Sequence, residues 1–164
     1  AIIYRKALER RLVRGRTIDG VTAAAVYLAC RLHHVPRALE EIATHTHAGR
    51  KELGRSIRLI LHTSGIAIPR PKPQDFIPRF GEDLRMSVNS QRRAIEVIDQ
   101  AQAMGLTAGK DPTGMAAAAL YIAGLIEGER RTQQEVAAAA HITEVTVRNR
   151  YKEMVQKLNL KVEV

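Results

Sequence analysis

Apolar residues along this chain recur every three or four positions, and strand-like alternation is almost absent. The spacing predicts helices over about 1–14, 18–33, 38–46 and 50–63, then 74–84, 89–105, 112–126, 132–140 and 144–158. Between the fourth and fifth, Gly65 to Pro73 reads GIAIPRPKP; its prolines cannot continue a helix, so a stiff, extended linker is expected. Local chemistry marks several ends. Thr132-Gln-Gln-Glu135 is a capping box, and Gly15 and Gly109 sit just beyond equivalent helices, where a left-handed cap suits glycine.

The pattern occurs twice. A shift of 94 residues lays Ile3 to Leu61 on Val97 to Val155 without a gap, with 13 of 59 positions identical. A period this long exceeds solenoid units of about 20–50 residues and reads as two copies of one small domain. The expected domains are 1–69 and 70–164. Ala23-Ala24-Ala25 and Ala116 to Ala119, each followed by a Tyr, mark a central helix in each copy, whose small side chains let neighbours approach closely. The segment Gln74 to Leu84 has no counterpart in the first copy. An all-α protein of two tandem five-helix repeats is expected, the first lacking its first helix and so beginning inside a domain.

Composition narrows this further. Apolar residues make up 45% of the chain but aromatics only 4%, with no Trp, so the cores must be built from Ala, Leu, Ile and Val, which favours close-packed helices. One cysteine, Cys30, leaves no internal disulfide framework, and no apolar run reaches the roughly 18 residues of a membrane span. A soluble, intracellular protein is expected. The net charge is +9 and is uneven: residues 1–69 carry 12 Lys/Arg and 5 Asp/Glu, while residues 70–164 carry 14 and 12. Concentrated in one copy, the positive charge points to a polyanion or an acidic protein partner rather than to solubility alone.

The last two helices of each copy are joined by a short turn in the manner of a helix-turn-helix, whose second helix enters the major groove when such a unit reads DNA. In the second copy Val147, Tyr151, Met154 and Leu158 recur at i, i+4, i+7 and i+11 and fix the buried stripe. Val145 and Asn149 then lie nearly opposite it, with Arg148 on its flank. An outward Val beside an Arg makes a candidate base-reading pair: Arg donates bidentately to guanine and Val packs on base edges or a thymine methyl. Thr143 caps the helix, and with Thr146, Arg150, Lys152, Arg130 and Arg131 it can supply phosphate contacts. Spacing alone equally allows an ordinary amphipathic helix with a basic solvated face. In the first copy Lys51 replaces Val145 and Gly54 replaces Arg148, so the pair is gone; Arg50, Lys51, Arg55 and Arg58 form a positive face suited to an acidic partner or to phosphates.

The segments GRTIDGVTAAAVYLACRL (15–32), GKDPTGMAAAALYIA (109–123), EGERRTQQEVA (127–137) and TEVTVRNRYKEM (143–154) resemble the paired cyclin-like core repeats of archaeal transcription factor B, the counterpart of eukaryotic general transcription factor IIB. The resemblance spans essentially the whole chain and implies a non-enzymatic promoter factor in an archaeal cytoplasm, associated with the nucleoid. It implies a core that grips the TATA-binding protein on its bent TATA element, reads the B recognition element just upstream, and recruits RNA polymerase. By motif, Val145 and Arg148 become the base readers. Gly15, Arg16, Arg50, Lys51 and Arg55 become contacts to the acidic stirrup of the TATA-binding protein, and basic residues of both copies grip DNA on either side of the bend. The family's zinc ribbon lies outside this chain, so no cofactor is expected within it.

Other chemistries find little support. His45-x-His47 and His33-His34 invite a metal, but four ligands do not converge at any recognisable spacing, and the only repeated histidine is His47 with His141, at the turn. Gly109-Lys110-Asp111 lacks the rest of a phosphate loop, and no nucleophile stands with a base, so no enzyme is expected. Two rivals share the helical pattern: a cyclin-type protein-interaction module, which would not need the 143–154 segment, and a dimeric helix-turn-helix repressor, which covalent duplication with divergent reading helices disfavours.

Overall fold

The structure is a computed structural model that describes residues 2–9, 17–33, 35–65 and 67–162. Among these residues there are nine α-helices and no strand: α1 (Ile2–Glu9), α2 (Ile18–Leu32), α3 (Leu39–Thr44), α4 (Arg50–Ser64), α5 (Pro73–Asp83), α6 (Val88–Ala103), α7 (Pro112–Glu127), α8 (Gln133–Ala140) and α9 (Glu144–Leu158). The chain divides into two compact units, Ala1–Pro71 and Lys72–Val164.

In the second unit α7 is the axis, with α5, α6, α8 and α9 packed on it. Its start is set by Asp111, whose side chain accepts from the Gly114 amide at 3.1 Å, and by Pro112, which supplies a helical φ where no amide partner is needed. From Thr113 to Gly124 every residue is buried. That is possible only because Ala116 to Ala119 are small enough to let helices close in from several sides. Phe76 and Phe80 of α5, Ile98 of α6, Val136 of α8, and Val147, Tyr151 and Met154 of α9 complete this core. The rings of Tyr121 and Tyr151 lie 4.8 Å apart. Truncating a side chain such as Leu120, which is fully buried, removes about 2–5 kcal/mol.

The first unit repeats the plan at the shift of 94. Its α1, α2, α3 and α4 correspond to α6, α7, α8 and α9, and Ile3, Ala7, Val21, Ala24, Leu28, Leu53, Ile57 and Ile60 form its core. Among the described residues of this unit no helix stands where α5 stands in the second. Val26 of α2 is 48% exposed where its counterpart Leu120 is 0%. It lines a groove of about 740 Å³ with Ala23, Cys30, Ile42 and His47. The architecture is thus all-α, in two tandem cyclin-like repeats.

Residues 10–14 of the first expected helix lie outside the described residues, and two of the described helix ends fall two residues short of the sequence expectation. Helix α6 stops at Ala103, and Gly105, at φ +70°, sits in the left-handed position; its amide reaches Gln102 O and the Leu106 amide reaches Ala101 O, which closes the helix end. Gly109 is also at φ +70° but lies in the turn beyond, so Gly105 is the capping glycine. Its supposed equivalent Gly15 lies outside the described residues. Helix α3 ends at Thr44 rather than 46, because the His45 and Thr46 amides turn back to Ile42 O and Ala43 O.

Candidate nucleic-acid interface

Helices α8 and α9 are joined by a tight turn. Helix α8 begins at a closed capping box: the Glu135 amide donates to Thr132 Oγ1 at 3.1 Å, and the Thr132 amide donates to Glu135 Oε2 at 2.7 Å. The Thr132 amide and hydroxyl hold the Glu135 carboxyl below its usual range. At the far end His141 adopts φ +54°, which turns the chain so that Thr143 can cap α9 by accepting from the Thr146 amide at 3.2 Å. In the first unit the corresponding cap is Gly49, with no side-chain bond, and Thr146 is replaced by Glu52.

The buried stripe of α9 is Val147, Tyr151 and Met154, with Leu158 half-buried. Opposite it, Val145, Arg148, Asn149 and Lys152 are all exposed and, at i, i+3, i+4 and i+7, form one outward row. Val145 is 58% exposed on the first turn, an apolar side chain with nothing of its own unit to cover it. Arg148 is held: its Nε donates to Gln133 Oε1, on the first turn of α8, at 3.0 Å. Thr143 and Arg130 are exposed near this surface in sequence, on the segments that enter α9 and α8.

Three of the sequence candidates are occupied within the protein. Arg131 donates to four carbonyls, those of Leu84 (2.8 Å), Arg85 (2.9 Å), Glu129 (3.4 Å) and Arg130 (3.0 Å), and so pins the α5–α6 corner to the α7–α8 loop. A guanidinium has five N–H donors, so little of it is left for a phosphate. Arg150 is half-buried on another flank of α9, with Nη1 3.4 Å from Glu153 Oε2. Thr146 turns inward: its methyl lies 3.3 Å from where a Cβ would stand on Gly114, and its hydroxyl is 2.9 Å from that of Thr143. The arrangement brings Val145, Arg148 and Lys152 together and sets Arg131, Arg150 and Thr146 apart from them. Sequence reasoning missed Gln133; the signal was available, because Gln133 and Arg148 are replaced together in the first copy, by Leu39 and Gly54.

Those replacements shape the first unit's surface. Leu39, Arg50, Lys51, Gly54, Arg55 and Arg58 line a groove of about 600 Å³ on the α3–α4 face. Nothing lies within 4 Å of the position a Cβ would take on Gly54, so no packing within the unit requires glycine there. Arg50 pairs with Glu40 of α3 at 2.6 Å, while Lys51, Arg55 and Arg58 are exposed along the groove. Gly15 and Arg16 lie outside the described residues. Among the described residues no group of His, Cys, Asp and Glu could hold a metal ion, and no helix is long and apolar enough to cross a membrane.

Two cyclin-like repeats, one carrying an outward apolar and cationic row on its last helix and the other a basic groove in the same place, define a duplicated all-α protein. The chain belongs to the transcription factor TFIIB repeat family, which it matches over residues 1–63 and 67–157. It is similar to transcription initiation factor IIB of Archaeoglobus fulgidus, with 53% identity over 99% of this chain and 50% of that protein. The same factor of Pyrodictium occultum is 55% identical over 97% of this chain and 51% of its own length. That of Pyrococcus furiosus is 52% identical over 100% and 55%. The chain thus spans about half the length of the curated relatives it matches. The family is one of transcription initiation factors and is not enzymatic.

Proposed function

We propose that this chain is the promoter-binding part of a general transcription initiation factor, with the two copies divided between DNA and protein. The second repeat reads the B recognition element through α9, Val145 and Arg148 meeting base edges while Lys152, Arg130 and Thr143 meet phosphates. Arg131, Arg150 and Thr146 hold the reading unit in shape instead. The first repeat offers its basic groove, Arg50, Lys51 and Arg55, to the acidic surface of a TATA-binding protein; Gly15 and Arg16 belong to the same proposed contact. RNA polymerase is the proposed downstream partner.

The observation that carries this reading is the outward row of α9. An apolar Val145 left in solvent at the start of a helix, beside an Arg whose orientation is fixed, suits a groove in which a methyl and a guanine edge are both recognised. The test is competition binding of the complex with TATA-binding protein on promoters varied upstream of TATA. Arg148→Ala should cost about 1–3 kcal/mol on the preferred sequence and relax preference at one base pair. An equal loss on every upstream sequence would mean that Arg148 only neutralises phosphate.

A further inference from the structure

We infer that Gln133 is a specificity-determining positioning residue, which fixes how the Arg148 guanidinium is presented to DNA; this rests on the reading of Arg148 proposed above. The bond from Arg148 Nε to Gln133 Oε1 is 3.0 Å and joins two helices across the turn. Because Nε is the atom engaged, the edge formed by Nε and Nη is used up, and the end-on pair of Nη groups is the fork that remains for guanine O6 and N7. An arginine side chain otherwise samples many rotamers, and fixing it before binding removes that ordering cost from recognition. Gln133 is itself well placed to do so. It is the first residue of α8, directly after Thr132, whose reciprocal bonds with Glu135 immobilise the helix start. It is also half-buried, whereas Arg148 is exposed.

The internal duplication gives an independent reason to treat the two residues as one device. At the shift of 94, Gln133 corresponds to Leu39 and Arg148 to Gly54. Where the arginine is gone its acceptor is gone too, and both replacements line the same groove in the first unit.

The experiment measures base preference at every upstream position, by competition binding of the complex with TATA-binding protein, for Gln133→Leu, Gln133→Glu, Arg148→Ala and the double variant Gln133→Leu/Arg148→Ala. Gln133→Leu keeps the size and removes the acceptor; discrimination at the base pair read by Arg148 should fall about three- to tenfold, the net worth of one solvent-exposed hydrogen bond. Gln133→Glu keeps an acceptor for Nε, so discrimination is retained while affinity falls on all sequences alike, through repulsion from phosphates. The double variant should discriminate no worse than Arg148→Ala alone. Unchanged discrimination in Gln133→Leu overturns the inference. So does a further loss when it is added to Arg148→Ala, which would make Gln133 a direct reader. Failure of the underlying reading is seen separately, as a flat profile for Arg148→Ala by itself, and takes the inference with it.

Discussion

Lys110 Nζ stands 2.5 Å from Glu153 Oε1 and so ties the loop ahead of α7 to the side of α9. The lysine bond, and the charges of Lys110 and Arg150, hold the Glu153 carboxyl below its usual range. A carboxyl depressed in the folded state stabilises it above the unfolded value, about 4.3, and that stability is lost as pH falls through the lower folded value. Glu153→Gln should therefore lower the unfolding free energy by about 0.5–1 kcal/mol at neutral pH, the discounted worth of a partly exposed pair. The gap between variant and parent should close in acid. Denaturant titrations at neutral and acidic pH measure it; a gap that persists in acid would show that the lost interaction is not ionic.

Arg131 and Arg130 are neighbours with different expected fates. Removing the Arg131 side chain leaves the carbonyls of Leu84 and Arg85 without their donor. Arg131→Ala should thus destabilise the second repeat by about 1–3 kcal/mol. Arg130→Ala should weaken DNA binding to all sequences alike. A thermal melt of the first variant tests the clamp, and binding of the second to preferred and varied promoters tests the phosphate contact.

Phosphate neutralisation also has its own signature. If Lys152 meets a phosphate, Lys152→Ala should reduce the slope of log affinity against log salt by about 0.9, and should do so on preferred and varied promoters alike. An unchanged slope would remove Lys152 from the interface.

A close approach of backbone explains another residue. The position a Cβ would take at Gly124 lies 2.7 Å from the Glu129 carbonyl oxygen, which belongs to the loop turning from α7 into α8. Backbone cannot retreat as a flexible side chain can, so Gly124→Ala should cost about 1–3 kcal/mol. The aligned residue of the first repeat is Cys30, which lines an open groove.

Helices, the central Ala-rich axis and the outward position of Val145 were all legible in the sequence, because each depends only on which face of a helix a residue occupies. Periodicity states that directly: Val147 and Tyr151 buried fixes Val145 as exposed. Partner identity is a different quantity. Arg131 meets Leu84 across 47 residues and Arg148 meets Gln133 across 15, and no local spacing encodes either bond. A positive charge therefore looked the same in the sequence whether it was offered outward or consumed by carbonyls. Helix ends fell between these cases, since Gly105 and Gly109 both adopt positive φ and only the bonds of Gly105 and Leu106 show which one closes α6.

Gly54 gives the sharpest separation of stability from function. It lies inside α4, where glycine costs about 1 kcal/mol relative to alanine, and nothing in its own unit crowds the missing Cβ. Gly54→Ala should accordingly raise the stability of the first repeat by up to about 1 kcal/mol. A larger side chain, as in Gly54→Gln, should fold equally well but fill the groove between Leu39, Lys51 and Arg58. If that groove receives an acidic partner backbone, the glutamine variant should lose the complex with TATA-binding protein on TATA DNA while its melting temperature holds. Lys51→Glu should do the same by charge reversal. Intact complex formation by both variants in a gel shift would move the proposed protein contact away from the α3–α4 face.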